Sequence, residues 1–320
     1  MQRVMVAFLA LSRAIAACTF LPVHGSAPII RTQPGFYRMM LGDFEITALN
    51  DGVVDYFTAQ VLPNTTPDEV KTALSAEGLT DPAGMSYNAF LINTGAKLVL
   101  IDTGTGGKLP DSPLFRGTGR LMTNLRASGY QPEQVDEIYI THFGPDHVGG
   151  LTVGNERAFP NALLRVPAGE ADLVLHAERA PAWTKHWTSF WADLIQPYVK
   201  AAKFSSFDAD VQLTPGIRAV ATHGHAPGHT SYVVESKGQR LIVLGDLVLL
   251  GAMQFAQPSL TSAFDADPSA AATQRKRILK LAAQEGDWLA GAHLSFPGIG
   301  HVRTRGEGYS WIPANYTIPH

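Results

Sequence analysis

The residues able to do chemistry cluster where apolar runs end. Positions 140–150 read "ITHFGPDHVGG", so an apolar strand leads straight into His142, Asp146 and His147, followed by Gly149 and Gly150. Three later runs end alike: His225 in "HGHAPGHT", Asp246 in "IVLGDL" and His293 in "LAGAHLSF". Strands converging at one sheet edge can bring such groups together, and imidazoles with carboxylates form donor sets that suit Zn²⁺, Mn²⁺ or Fe²⁺. His142 and His147, with Asp146 between them, carry the signal on spacing alone. The others each have a plainer explanation. His225 and His229 flank a tight Pro-Gly turn and only one need bind metal; Asp246 could cap a turn, and His293 could be a packed core histidine. His24, His176, His186 and His320 read as surface or hydrogen-bonded loop histidines. The position two after His142, which would point the same way, is Gly144.

The rest of the chain has to position these groups. Its 320 residues, 45% hydrophobic and 17% charged, have the composition of an ordinary globular enzyme. A net charge of −3 without a Lys/Arg run argues against a nucleic-acid or anionic-membrane surface. The most basic stretch, Arg275-Lys276-Arg277, reads as the solvated face of a helix. Residues 1–27 read as an export signal, with Arg3, an apolar stretch over 4–11 and a small-residue exit at His24-Gly25-Ser26-Ala27. That reading makes the protein periplasmic or secreted. A rival takes Ile15-Ala16-Ala17-Cys18 as a lipoprotein processing site. Either way the stretch is too short and too broken, by Arg13, for a stable membrane span. Cys18 is the only cysteine. A domain that begins after it has no disulfide and no thiolate nucleophile, so any metal must be held by His and Asp/Glu.

Beyond the signal, apolar β-type runs alternate with helical stretches. Residues 43–49 read as a strand before a turn at Asn50-Asp51-Gly52, and Thr66-Pro67-Asp68-Glu69 opens a helix. Residues 87–93 and 97–102 form a hairpin-like pair, 114–130 a helix, and 135–140 the strand that ends at His142. Residues 162–166 and 217–222 are strand-like, 231–235 pairs with 240–244 across Lys237-Gly238, 269–284 is a helix, and 287–292 a last strand. The pattern gives an α/β fold of two stacked mixed sheets covered by helices, in one domain over 28–320. Residues 177–200 are rich in aromatics, among them Trp183, Trp187, Phe190, Trp191 and Tyr198.

Taken in order, these motifs resemble the metallo-β-lactamase superfamily, whose hallmark is Thr-His-x-His-x-Asp-His followed by later His, Asp and His ligands. The likeness runs over nearly the whole chain after the signal. It is strongest to methyl parathion hydrolase-type members, which are exported organophosphate hydrolases, through "GFYRMMLGDFEITALNDG", "YQPEQVDEIYITH", "PDHVGGL", "HGHAPGHTSYVVES" and "HLSFPGIGH". The resemblance implies an αββα sandwich with two divalent metal ions at one edge, Zn before Mn, Co or Fe. The first ion would take His142, residue 144 and His225; the second Asp146, His147 and His293. Asp246 would bridge both, and Asp246 and Asp146 are the expected catalytic carboxylates. Motif position makes His225 rather than His229 the ligand, with His229 behind it. Asp102 in "LIDTG" either orients a ligand imidazole or caps a turn.

Such a centre activates a water for attack on phosphotriesters, lactones or aryl esters. An uncharged substrate needs no Arg clamp, and Phe115, Trp183, Trp187, Phe190, Trp191 and Leu249, with Leu250 and Phe255, are the expected apolar pocket. Gly144 departs from the pattern, because glycine supplies no imidazole. The first ion is then held by His142, His225 and Asp246 alone, more weakly, unless a neighbour such as His223 swings in. Loss of one ligand with all others retained reads as a recent or deliberate single change rather than drift. The expected partners are a small-molecule substrate and a second copy of the chain in a homodimer. Alternatives are a degenerate homologue that binds without hydrolysing, and a glyoxalase II-like thiolester hydrolase, although no basic cluster near the motifs suits an anionic thiolester.

Overall fold

The computed structural model describes residues 33–108, 115–176, 178, 184–185 and 187–316. The expected signal with Cys18 and His24, and also Trp183, His186 and His320, lie outside the described residues. Among the described residues no helix is long and apolar enough to cross a membrane.

The first sheet is built from β1 (Phe36–Leu41), β2 (Phe44–Tyr56), β3 (Ala83–Asn93), β4 (Leu98–Ile101) and β5 (Glu137–Tyr139). After a small ribbon, β6 (Thr152–Val153) and β7 (Glu156–Arg157), come β8 (Leu163–Pro167) and β9 (Phe204–Phe207), giving the order β1-β2-β3-β4-β5-β8-β9. The second sheet runs in simple chain order through β10 (Gln212–Thr214), β11 (Ile217–Ala221), β12 (Thr230–Ser236), β13 (Gln239–Val243), β14 (Trp288–Ala290), β15 (Ile299–Arg305) and β16 (Gly308–Pro313). Both are mixed: β4-β5, β5-β8, β8-β9 and β13-β14 pair in parallel, while hairpins dominate elsewhere. Helices flank them: α1 (Thr58–Val61), α2 (Pro67–Ala76), α3 (Leu121–Ala127), α4 (Pro145–Val148), α5 (Ala168–Leu175), α6 (Thr188–Lys200), α7 (Gly251–Gln254) and α8 (Pro268–Glu285).

Side-chain alternation along the strands explains the layers. Phe90, Ile92, Val99 and Ile101 meet Tyr232, Val234, Leu241 and Val243 of the facing sheet. Their neighbours Ala89, Leu91, Leu98 and Leu100 turn outward under Leu121 and Leu125 of α3 and Trp191 and Leu194 of α6. On the far side, Ile242, Leu244 and Leu289 pack against Ile278, Leu279 and Ala282 of α8. Strands such as β4, buried at every residue, are therefore apolar throughout.

Four expectations change. The strand expected last, over 287–292, is β14, and the chain returns twice more to the same sheet edge as the hairpin β15-β16. The turn at Asn50-Asp51-Gly52 is a register shift inside the continuous strand β2. There the buried Asp51 carboxylate accepts from the backbone N–H groups of Thr105, Gly119 and Leu121, at 3.0, 3.0 and 2.9 Å. Among the described residues of the helix expected over 114–130, the α-helix forms at 121–127, because Gly119 takes φ +83 and Asp51 caps the chain just after it. Arg275 does not lie on a solvated face. It is fully buried, and its guanidinium donates to the backbone carbonyls of Leu247, Pro258 and Leu260.

Candidate metal centre

The parallel strands β4, β5, β13 and β14 all end at one edge, and their C-terminal loops supply most of the site, as open α/β sheets commonly arrange. His142 follows β5, Asp146 and His147 sit on the single turn α4, Asp246 follows β13 and His293 follows β14, while His225 comes from the β11–β12 connection. The structure gathers them into two groups, His142 with His225 and Asp246, and Asp146 with His147 and His293. Within each group one donor atom per residue lies within 4.8 Å of the others.

Asp246 joins the groups. Its Oδ1 lies 3.1 Å from Nε2 of both His147 and His293, and its Oδ2 lies 3.2 Å from His225 Nε2 and 3.7 Å from His142 Nε2. Burial works against its charge, but His293, His147, His142 and His225 around it hold the carboxyl well below the usual range. Burial also lowers His147, yet Asp246, Asp146 and Asp102 outweigh it and raise that imidazole. His147 Nε2 and Asp246 Oδ1 are both buried without a hydrogen-bond partner. With its Nδ1 proton directed at Asp102, His147 turns a lone pair toward the carboxylate oxygen. Two buried acceptors facing each other are costly in a protein interior, and a divalent cation between them satisfies both. The residue types, their convergence and these two atoms fit a pair of divalent ions.

A ring of outer contacts fixes the ligand orientations. Asp102, at φ +61, orients a ligand imidazole rather than capping its own turn. Its carboxylate accepts from Thr141 N at 2.9 Å and Thr141 Oγ1 at 2.8 Å, and its Oδ2 lies 2.8 Å from His147 Nδ1. His225 Nδ1 faces Asp265 Oδ1 at 3.0 Å, and His293 Nδ1 faces the Ser86 carbonyl at 3.1 Å. His229 stands behind the centre. Its Nε2 accepts from Asp246 N at 2.9 Å, so Nδ1 carries the proton donated to Thr222 O at 3.1 Å. Burial, with His225 next, lowers its pKa to about 3. With that lone pair engaged, His229 holds the Asp246 loop and is not placed to bind metal. Gly245 lets it approach: at φ +58, a Cβ there would lie 2.6 Å from His229 Nε2. Glu170, which sequence reasoning missed, ties two ligand loops together by accepting from Phe143 N and Gly228 N, both at 2.7 Å.

Gly144 caps α4 with φ −76 and ψ 140, a conformation open to any residue. The gap is in chemistry and in space. A Cβ there would lie 2.7 Å from His142 Nε2 and from His147 Cδ2, and 3.1 Å from Asp146 Oδ1. The neighbouring ligands thus occupy the room a side chain would take. His223 is exposed and does not swing in.

Over the centre opens a cavity of about 690 Å³. Phe115, Trp187, Trp191 and Leu249 line it as expected. Phe190 instead packs edge-on against Trp187 away from the lining, Leu250 joins the core beside α2, and Phe255 stacks on Trp311 under the second sheet. An aromatic count does not say which way each ring faces. Tyr56, Met85, Tyr87, Leu173 and Phe264 also line the wall, and no sequence motif marked them; Phe143, inside the opening motif, lines it too. Burial, then Asp146, raises the Tyr87 phenol far above its ordinary value.

A family model described as the metallo-beta-lactamase superfamily matches residues 83–293. The crystal structure of hydrolase AbOPH, in the beta lactamase superfamily, superposes with a TM-score of 0.83 at 32% identity, covering 90% of this chain and 100% of that one. AidC, a dizinc quorum-quenching lactonase in complex with its product N-hexanoyl-L-homoserine, gives a TM-score of 0.80 at 26% identity over 89% and 99% of the two chains. The N-acyl homoserine lactonase AiiA of Bacillus thuringiensis subsp. kurstaki is 26% identical over 173 residues. That alignment spans 48% of this chain and 60% of the lactonase.

Proposed function

The chain belongs to the metallo-β-lactamase superfamily, and on that premise we propose that it hydrolyses uncharged esters, lactones foremost, at a two-metal centre. The observation that carries the reading is the union of the two ligand groups with a cavity whose described lining has no Lys or Arg. A lactone, an aryl ester or a phosphotriester brings no negative charge and fits such a wall, whereas an anionic thiolester would lack a counter-charge. The homologous lactonases support lactones over the phosphotriesters that the motif resemblance implies.

When bound, the two ions supply Lewis acidity and lower the pKa of water toward neutrality. The protein's own groups do the rest. Asp246 holds the two groups in register, and Asp102, Asp265 and the Ser86 carbonyl fix the ligand imidazoles. Asp146 is the most solvent-accessible of the ion-paired carboxylates of the centre, its side chain 18% exposed against 6% for Asp246. It is placed to take the proton of the attacking water and return it to the leaving alkoxide. The aromatic wall excludes water and seats an acyl or aryl group. Gly144 leaves the ion beside His142 and His225 with fewer protein donors, so that position is the weaker of the two.

The test is turnover by purified protein loaded with Zn²⁺ or Mn²⁺ on an N-acyl homoserine lactone, a simple γ-lactone, a p-nitrophenyl ester and a paraoxon-like triester. We expect lactone hydrolysis that a chelator abolishes and metal restores. No turnover of any of the four would overturn the reading in favour of a binding protein that keeps the fold.

A further inference from the structure

Outside the ligand groups the cavity wall is poor in polar atoms, and those it has are unevenly placed. Among the described lining residues the only hydroxyls belong to Tyr56 and Tyr87, which stand on β2 and β3 with their oxygens 3.0 Å apart. Two hydroxyls in contact share one proton, which leaves the second O–H without a role in the pair. Neither phenol makes another hydrogen bond among the described residues. Tyr87 is 5% exposed, and its ring meets the imidazole of His293 edge-on at 5.2 Å. Tyr56 stands farther out, half-buried, with Phe264 against its ring. The inner phenol therefore stands with its ring against His293 of the second ligand group, and its O–H, like the buried Trp191 Nε1 elsewhere on the wall, is a donor with no acceptor of its own.

We propose that the Tyr87 hydroxyl donates a hydrogen bond to the carbonyl or phosphoryl oxygen of the substrate, keeping its proton, and that Tyr56 is the positioning residue that aims it. Tyr56 donates to the Tyr87 oxygen, and the Tyr87 proton then points into the cavity. Leu249, also on the wall, has no donor to offer. A neutral donor beside the site suits a substrate oxygen that gains negative charge during attack. The consequence is specificity: substrates whose acceptor is oxygen gain from the pair, and those with sulfur in its place gain little. This rests on the proposed ester hydrolysis for its catalytic meaning, but not for its geometry.

The experiment pairs binding with turnover, using Tyr87→Phe and Tyr56→Phe in the metal-loaded enzyme. An aryl-substituted γ-lactam, which presents the carbonyl but resists hydrolysis, reports binding by calorimetry. A triester and its phosphorothioate report turnover. Tyr87→Phe should weaken lactam binding about two- to tenfold, the range for one neutral hydrogen bond. It should lower kcat more than it raises KM, by on the order of 10²-fold for the phosphoryl substrate and far less for the thio analogue. Tyr56→Phe should show the same pattern at smaller amplitude, with metal content and melting temperature unchanged in both. Lactam affinity unchanged in Tyr87→Phe, absence of lactam binding to the wild type, or equal losses on the oxygen and sulfur substrates would each overturn the inference. If wild type binds lactam and Tyr87→Phe weakens it while no ester is turned over, the donor stands and the proposed reaction falls.

Discussion

Replacing Asp102 by Asn tests how the centre is held from behind. The two side chains are isosteric, and the left-handed backbone at φ +61 accepts Asn about as well as Asp, so strain does not confound the result. In the wild type the carboxylate answers three donors: Thr141 N, Thr141 Oγ1 and His147 Nδ1, at 2.9, 2.8 and 2.8 Å. An amide can keep its oxygen on Thr141 N only by turning its NH₂ toward His147. Two donors would then face each other, unless the His147 proton moves to Nε2. That nitrogen faces Asp246 and Asp146, and once protonated it cannot bind metal. One charge-assisted hydrogen bond lost costs about 1.5–3 kcal/mol of stability in the metal-free protein. A displaced orienting carboxylate costs about 10- to 100-fold in metal affinity. Competition against a fluorescent zinc chelator, with urea unfolding of the metal-free proteins, measures both. We expect the loss at the ion beside Asp146, His147 and His293. Two ions held by Asp102→Asn with wild-type affinity would refute the reasoning.

Other expectations follow from neighbouring geometry. Gly144→His and Gly144→Ala crowd His142 and His147 alike, but the imidazole adds a donor that an ion can draw into place as those side-chain ends shift. Gly144→His should therefore raise the number of tightly held ions and turnover and Gly144→Ala lower both, which elemental analysis after dialysis separates. Arg275→Met takes the guanidinium donor from the Leu247, Pro258 and Leu260 carbonyls and the nearby positive charge from the buried Asp265 and should destabilise the protein by about 3–5 kcal/mol in urea unfolding. Glu137 is opposed by burial, but Lys97, Arg165 and Tyr139 hold its carboxyl below its ordinary value of 4.5. Its contribution is therefore present above pH 4.5 and lost as pH falls through the lowered pKa. Wild type should exceed Glu137→Gln in stability at neutral pH, and the gap should close in acid, as urea midpoints across pH would show.

The ligand groups were legible because each sits in a short motif at a strand end, where local sequence fixes both residue type and direction. His142, Asp146, His147, His225, Asp246 and His293 all come together on that basis, as does the order of strands and helices that carries them. What stayed hidden acts across distance. Asp265 reaches His225 from 40 residues away, Glu170 links loops that sequence does not join, and Tyr56 meets Tyr87 only because β2 pairs with β3. No periodicity encodes those meetings. Phe190, Leu250 and Phe255 show the converse, since apolar residues near a motif pack into the core as readily as they line a pocket. Arg275 shows it for charge: three basic residues in a row on a helix point to different sides, and one of them faces inward.

The central claim is that two divalent ions sit between these six side chains. Anomalous diffraction at the zinc absorption edge, from crystals of zinc-loaded protein, locates them directly. The account predicts two peaks, a strong one among Asp146, His147 and His293 and a weaker one among His142 and His225, with Asp246 between them. An anomalous map with no peak at either position, or with zinc bound only elsewhere, would contradict it.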